Sequence, residues 1–226
     1  MPKINIAIDG FAGCGKSTLA KDLAQALNYT HIDSGAMYRA LTFLFLKNKT
    51  DLRNIRKISQ LLRDLDLRVI PAPDCNHLIL NGEDVTSYLR TDSILSEVSN
   101  VAALPEVRKK LVAEQIKLAD KKGIVMDGRD IGTVVLPKAE LKIFLTARLE
   151  ARVKRRKKEL ALLGRTIGYK QIEENLNRRD HSDSTRKESP LMQAEDAVLI
   201  DNTNLNREEQ LAMVLALALY RSNDYA

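Results

Sequence analysis

The chain has 226 residues, 44% hydrophobic and 29% charged, with 36 Lys and Arg against 30 Asp and Glu and a formal charge of +6. That length carries one α/β core with small appendages, and no apolar run approaches the ~20 residues of a membrane span. Cys14 and Cys75 stand far apart with no C-x-x-C pair, so neither a zinc site nor a disulfide framework is indicated.

The chain opens on MPKINIAI, which lacks the charged start and long apolar stretch of a secretory leader, so a reducing cytoplasm is the expected home. INIAI (4–8) reads as a buried strand, and STLAKDLAQAL (17–27) carries apolar residues at helical spacing. Between them residues 10–17 fit G-x-x-x-x-G-K-[ST] without a mismatch. Gly10, Phe11, Ala12, Gly13, Cys14, Gly15, Lys16, Ser17 and Thr18 are therefore the expected phosphate cradle of ATP. Glycines let amide groups close around phosphate oxygens, and the helix start adds positive potential. Lys16 would reach the outer phosphates, and Ser17 would hold Mg²⁺.

A short strand at 30–33 and helices over 34–47 and 51–65 follow. Residues 67–86 change texture: two extended runs flank Asn81-Gly82, a strong hairpin signal, and predict a small antiparallel insert. Helices return at 92–103 and from Pro105 to just before Gly123. IVMD (124–127) and KIFL (142–145) are strands, a basic helix covers 148–163 and another helix 169–179. AVLID (197–201) closes the sheet before an amphipathic helix starting at Arg207. Strands separated by helices make an α/β fold with a mostly parallel sheet, whose ligands bind beyond the strands' carboxyl ends. Three short motifs fall there: DG after the first strand, DSG after the second and DGRD after IVM.

Three kinds of phosphate-loop protein remain to be separated. A switch GTPase is disfavoured: NKTD at 48–51 imitates a guanine reader, but the D-x-x-G that should precede it comes later, at 120–123. Thr50 or Asp51 reads better as a helix cap. A nucleic-acid-binding ATPase is permitted by the basic helix, yet only 4% of the chain is aromatic, and motors of that kind need a second lobe. A small-molecule kinase must also clasp an acceptor, and arginines accumulate accordingly at 39, 108, 129, 179 and 186. Arg39 and Arg129 lie just past strand ends, which points to an anionic acceptor. Arg148, Arg152 and either Arg155 or Arg156 share one stripe of the basic helix.

Taken together, GFAGCGKST, DSGAMYR, SNVAALPEVR, DGRDIGTVV and RRDHSDSTR resemble the bacterial-type cytidylate kinase family, in the same order over residues 4–205. The resemblance implies the P-loop nucleoside monophosphate kinase fold: a core over 1–33, 92–147 and 181–226, an acceptor region over 34–91, and an arginine-rich helical lid over 148–180. It implies ATP-dependent phosphorylation of CMP and dCMP with Mg²⁺, by a monomer that uses small nucleotides and binds neither nucleic acid nor membrane. A kinase for another nucleoside monophosphate or a small acid is the alternative. Lys16, Arg129, Arg148, Arg152 and Arg156 are then the catalytic cations, and Ser17 and Asp127 the metal side. Ser34, Tyr38, Arg39, Ser99, Arg108, Arg129, Asp130, Arg179, Asp183 and Arg186 form the acceptor site. Cytosine needs an acceptor beside a donor: Ser99 and Asp130 can accept from N4, and Arg108 can donate to N3 and O2. Phe11 and Cys14 stand where relatives often have Pro and Ala, which puts loop stiffness in question. His31, His77 and His181 form no catalytic arrangement along the sequence.

Overall fold

A computed structural model describes residues 2–70, 72, 76–162 and 164–224. Cys75 and the expected helix end at Leu163 lie outside the described residues. Strands β1 (Asn5–Gly10), β2 (Thr30–Asp33), β6 (Ile124–Gly128), β7 (Leu141–Thr146) and β8 (Val198–Asp201) form one sheet in the order β2-β6-β1-β7-β8. Every pairing in it is parallel. Strands β3 (Leu67–Ile70), β4 (His77–Leu80) and β5 (Glu83–Asp84) form the separate antiparallel insert. Asn81 and Gly82 both take positive φ, 50° and 85°, as the turn between β4 and β5 requires.

The alternation of side chains along β1 sorts the interior into two layers. Ile6 and Ile8 pack with Leu19, Leu23 and Val214 of helices α1 (Lys16–Leu27) and α8 (Arg207–Asn223). Ala7 faces the other way, toward Met37, Leu41 and Leu111 of α2 (Ser34–Lys47) and α5 (Pro105–Ala119). A third cluster joins Val153 and Leu160 of α6 (Leu149–Leu162) to Ile172 and Leu176 of α7 (Tyr169–Thr185), and both helices pack on Ala12.

Among the described residues the other α-helices are α3 (Ile55–Arg63) and α4 (Asp92–Ala102). The former starts later than expected. Asp51 accepts the Arg53 amide and pairs with its guanidinium in a local turn, and Asn54, not Thr50 or Asp51, caps α3. Asn48 of NKTD merely ends α2, its side chain donating to Leu44 O. Helix α7 runs six residues past Arg179, through the polar RDHSDST stretch, because Asp180 and Asp183 find arginine partners on other elements. The expected boundary between lid and core, after residue 180, thus falls inside one helix.

Candidate active site

The sheet's carboxyl edge is shaped first by Gly10. Its φ is +146°, and an added Cβ would meet Leu145 O at 1.9 Å, so no larger residue lets the chain leave β1 there. The loop that follows has its carbonyls taken by neighbours. Lys16 Nζ and Cys14 Sγ donate to Phe11 O at 2.7 and 3.0 Å. Asn202 Nδ2 donates to Cys14 O at 2.7 Å, and Arg155 NH1 reaches it at 3.4 Å. Ala12 is pinned on both sides: its N–H donates to Asp180 Oδ1 and its carbonyl accepts from Arg152 NH1, each at 3.1 Å. Arg152 and Asp180 are themselves paired, and Phe11 packs edge-on against Phe144 beneath the Arg152 guanidinium. Phe11 and Cys14 are therefore braced by packing, and the loop's amides present a concavity suited to phosphate.

Lys16 is buried at the base of this loop, its ammonium held below its ordinary range by burial and then by the charge of Arg129. Ser17 Oγ donates to Asp127 Oδ2 at 2.7 Å. The other oxygen of Asp127 lies 2.7 Å from His31 Nε2. Burial pulls the His31 pKa down, but the bond and charge of Asp127 together with the charge of Asp33 outweigh it, and the net shift is upward.

Across the cavity, Asp130 is buried, paired with Arg108 and 3.6 Å from Arg186 NH2. Burial holds its carboxyl above the usual range in spite of both guanidinium groups. The Tyr38 ring lies 5.6 Å from the Arg108 guanidinium, and burial pushes its phenol up to about 12. Arg39 NH2 meets Asp33 Oδ2 at 2.8 Å, and Arg129 Nε meets Asp183 Oδ2 at 2.6 Å. Burial lowers the Arg129 pKa, but Asp183 reverses this, so that cation is secure. Arg179 is the exception. Half-buried, with no hydrogen-bonded or ion-paired partner among the described residues, it is pushed down to about 10 by burial and by Arg129, Arg156 and Arg39, against Asp183 alone.

These groups line one cavity of about 610 Å³. Residues 12–18, Ser34, Tyr38, Arg39, Ser99, Arg108, Asp127, Arg129, Asp130, Arg156, Arg179, Asp183 and Arg186 all face it. Gly10 and Phe11, at the start of the loop, do not line it. Two expected lid cations also stand elsewhere. Arg148 is exposed and bonds through its backbone to Thr203 and its side chain to Asn204, while Arg152 is spent on Ala147 O, Ala12 O and Asp180. The basic stripe instead turns Arg155 and Arg156 to the cavity, because α6 packs its Arg152 and Val153 side onto the phosphate loop.

Sequence reasoning missed His31, Asp33, Asp180 and Asn202. Asp33 carried a readable signal, an acidic residue directly before a helix, and it does accept the Ala36 amide as the α2 cap. The others depend on strand pairing and helix docking: His31 meets Asp127 because β2 lies beside β6 in parallel register.

A phosphate loop facing a ring of arginines across one cavity defines a phosphate-loop kinase with an anionic acceptor. Comparison with known proteins narrows the class. The family model "Cytidylate kinase" matches residues 6–219. The cytidylate kinase of Carboxydothermus hydrogenoformans is 48% identical over 98% of this chain and 99% of its own, and that of Caldicellulosiruptor saccharolyticus 49% over 96% of each. A solved structure of an uncharacterized protein from Eubacterium ventriosum superposes with a TM-score of 0.51 at 14% identity, covering 99% of both chains, and shares the fold. The chain belongs to the cytidylate kinase family. Its reaction is the ATP-dependent phosphorylation of CMP and dCMP.

Proposed function

We propose that the cavity divides this reaction between two ends, with the ATP phosphates on residues 12–18 and the cytidine nucleotide between Arg108–Asp130 and the Arg39, Arg129 and Arg186 groups. The observation that carries the reading is unmatched polar capacity. Tyr38 Oη, Arg39 Nε, Arg108 Nε and Arg186 NH2 are buried without a hydrogen-bond partner, and Arg179 sits among cations. A buried donor without a partner costs about 1–3 kcal/mol. A dianionic phosphate and a pyrimidine edge would satisfy these groups together.

The attacking oxygen belongs to a phosphate whose second pKa is about 6. It is already ionised at neutral pH, so no side chain need remove a proton. The residues must instead hold two anions in line and absorb the charge that spreads over the transferring group. Lys16 takes the β/γ region, while Arg129 and Arg39 fix the acceptor phosphate. Arg156 and Arg179, reaching in from the lid helices, cover the transferring group, with Arg155 beside them. Asp130 accepts from the cytosine amine, Ser99 adds a second acceptor, and Arg108 donates to N3 and O2; uracil would set a carbonyl against the Asp130 carboxylate. Asp183 orients Arg129 and, 3.8 Å away, Arg186.

The Ser17 hydroxyl and Asp127 carboxylate are hard oxygen donors beside the loop, a set that suits Mg²⁺, which keeps waters and needs few protein ligands. Bound there, that ion supplies further neutralisation of the β/γ charge. Among the described residues no helix is long and apolar enough to cross a membrane. We place the enzyme in the cytoplasm as a monomer acting on free nucleotides rather than nucleic acid.

ADP release with CMP, dCMP, UMP, AMP, GMP or single-stranded nucleic acid as the second component tests the assignment. The expected order puts CMP and dCMP first. Stimulation by nucleic acid with no monophosphate accepted would reject it, and preference for UMP would reject the base contacts alone.

A further inference from the structure

Asp9 is the last β1 residue before Gly10, and its side chain belongs to neither substrate end. It is 4% exposed, and its two oxygens accept from successive amides: Oδ1 from Ile131 at 2.9 Å and Oδ2 from Gly132 at 2.7 Å. Those amides open the π turn Ile131–Val135, which immediately follows Arg129 and Asp130. Inside that turn the amides of Val134 and Val135 reach back to Asp130 O, and that of Leu136 to Ile131 O. The first two amides have no acceptor within the turn, and a carboxylate more than 120 residues earlier in the chain supplies both.

One residue thus joins the two halves of the cavity. Through its backbone it starts the phosphate loop that ends in Lys16; through its carboxylate it fixes the segment that holds Arg129 and Asp130. We propose that Asp9 is a positioning residue for phosphoryl transfer, a strut that sets the acceptor-reading segment at a fixed distance and orientation from the phosphate loop. The proposal rests on the two-ended reading of the cavity given above. Its burial supports a functional role. The carboxyl is pushed up to about 6 by desolvation, against both amide bonds, with Asp130 adding to the rise and Lys16 opposing it. An ionised Asp9 is therefore held at a cost in stability, which a cap serving the fold alone does not require.

Asp9→Asn keeps the shape but leaves one oxygen to accept, and its NH2 faces the second amide. In steady-state assays of the full chain, CMP and ATP are varied separately. The expected result is a rise in the CMP KM of about tenfold to a hundredfold, the worth of one charge-assisted bond, with the ATP KM within about twofold of wild type. Equal rises in both constants, or no rise in either, overturn the proposal. Where Asp9→Asn does not fold, Gly132→Ala decides. Its Cβ would press on Lys142 Cδ at 3.2 Å while meeting Asp9 Oδ2 in ordinary contact at 3.4 Å, so it shifts the turn that the carboxylate holds while the carboxylate itself stays. The same selective rise in the CMP KM upholds the strut, and its absence in that variant rejects it. The wild-type run keeps the two readings apart: failure to phosphorylate CMP there defeats the cavity assignment, whereas an active wild type with no selective loss defeats only the role of Asp9.

Discussion

Replacing Asp9 by Asn removes a titrating carboxyl from the middle of the molecule, and the pH dependence of stability measures what that carboxyl costs. Burial lifts it from 3.8 to about 6, outweighing the amide bonds from Gly132 and Ile131. A carboxyl whose folded pKa lies above its unfolded value binds its proton more tightly in the native state. Its contribution to stability is complete below about pH 4 and is lost as pH rises through about 6. At about 1.36 kcal/mol per pH unit, the gap from 3.8 to about 6 amounts to ~3 kcal/mol. The assay is urea unfolding of wild type and Asp9→Asn at several pH values between about 4 and 7, read as the difference between the two proteins. The difference is needed because other groups with raised pKa values, His31 and Asp130 among them, titrate in both proteins and cancel. The variant should gain ~3 kcal/mol on wild type across that window. A difference that does not change with pH would mean that Asp9 titrates as a solvated carboxyl does, and the burial reasoning would be refuted.

Asp130→Ala should lower kcat/KM for CMP by a factor corresponding to about 1–3 kcal/mol or more while leaving ATP affinity nearly unchanged, as measured by nucleotide titration and initial rates. Arg179→Ala should leave the unliganded protein as stable as wild type or more so, because Arg129, Arg156 and Arg39 repel it, and should slow transfer by about tenfold or more. A clear drop in the melting temperature without loss of rate would contradict that reading. Arg156→Ala should cost more in kcat than Arg148→Ala, since only the former faces the cavity; the reverse order would contradict the cavity reading. Arg152→Ala should destabilise the fold by about 1–3 kcal/mol, because half-buried Asp180 loses its cation while Ala12 O and Ala147 O lose their donor, and thermal unfolding reads this directly.

Much of this was legible along the chain because local chemistry decides it. The phosphate loop and its flanks lie within about two dozen consecutive residues. The Asn81-Gly82 turn needs two positive φ angles that those residues adopt readily, and strand–helix alternation already implies a parallel sheet. The arginines at 39, 108, 129 and 186 could be chosen from motif position alone, and all four face the cavity. What linear order could not supply is who stands beside whom. Parallel pairing of β2 with β6 brings His31 to Asp127, and docking of α6 and α7 spends Arg152 on the phosphate loop while turning Arg155 and Arg156 inward. Polar residues such as Asp180 and Asp183 read as a helix end until distant cations stabilise them inside α7. Asp9 is the extreme case. In the sequence it is an ordinary acidic residue before a glycine, and only the packed sheet both strips it of water and delivers two amides to it. Residue type and spacing fixed the chemistry at hand; tertiary contact alone decided which charges were paired, which were left for substrate and which were forced to bear burial, because desolvation and long-range hydrogen bonds exist only once the chain has closed on itself.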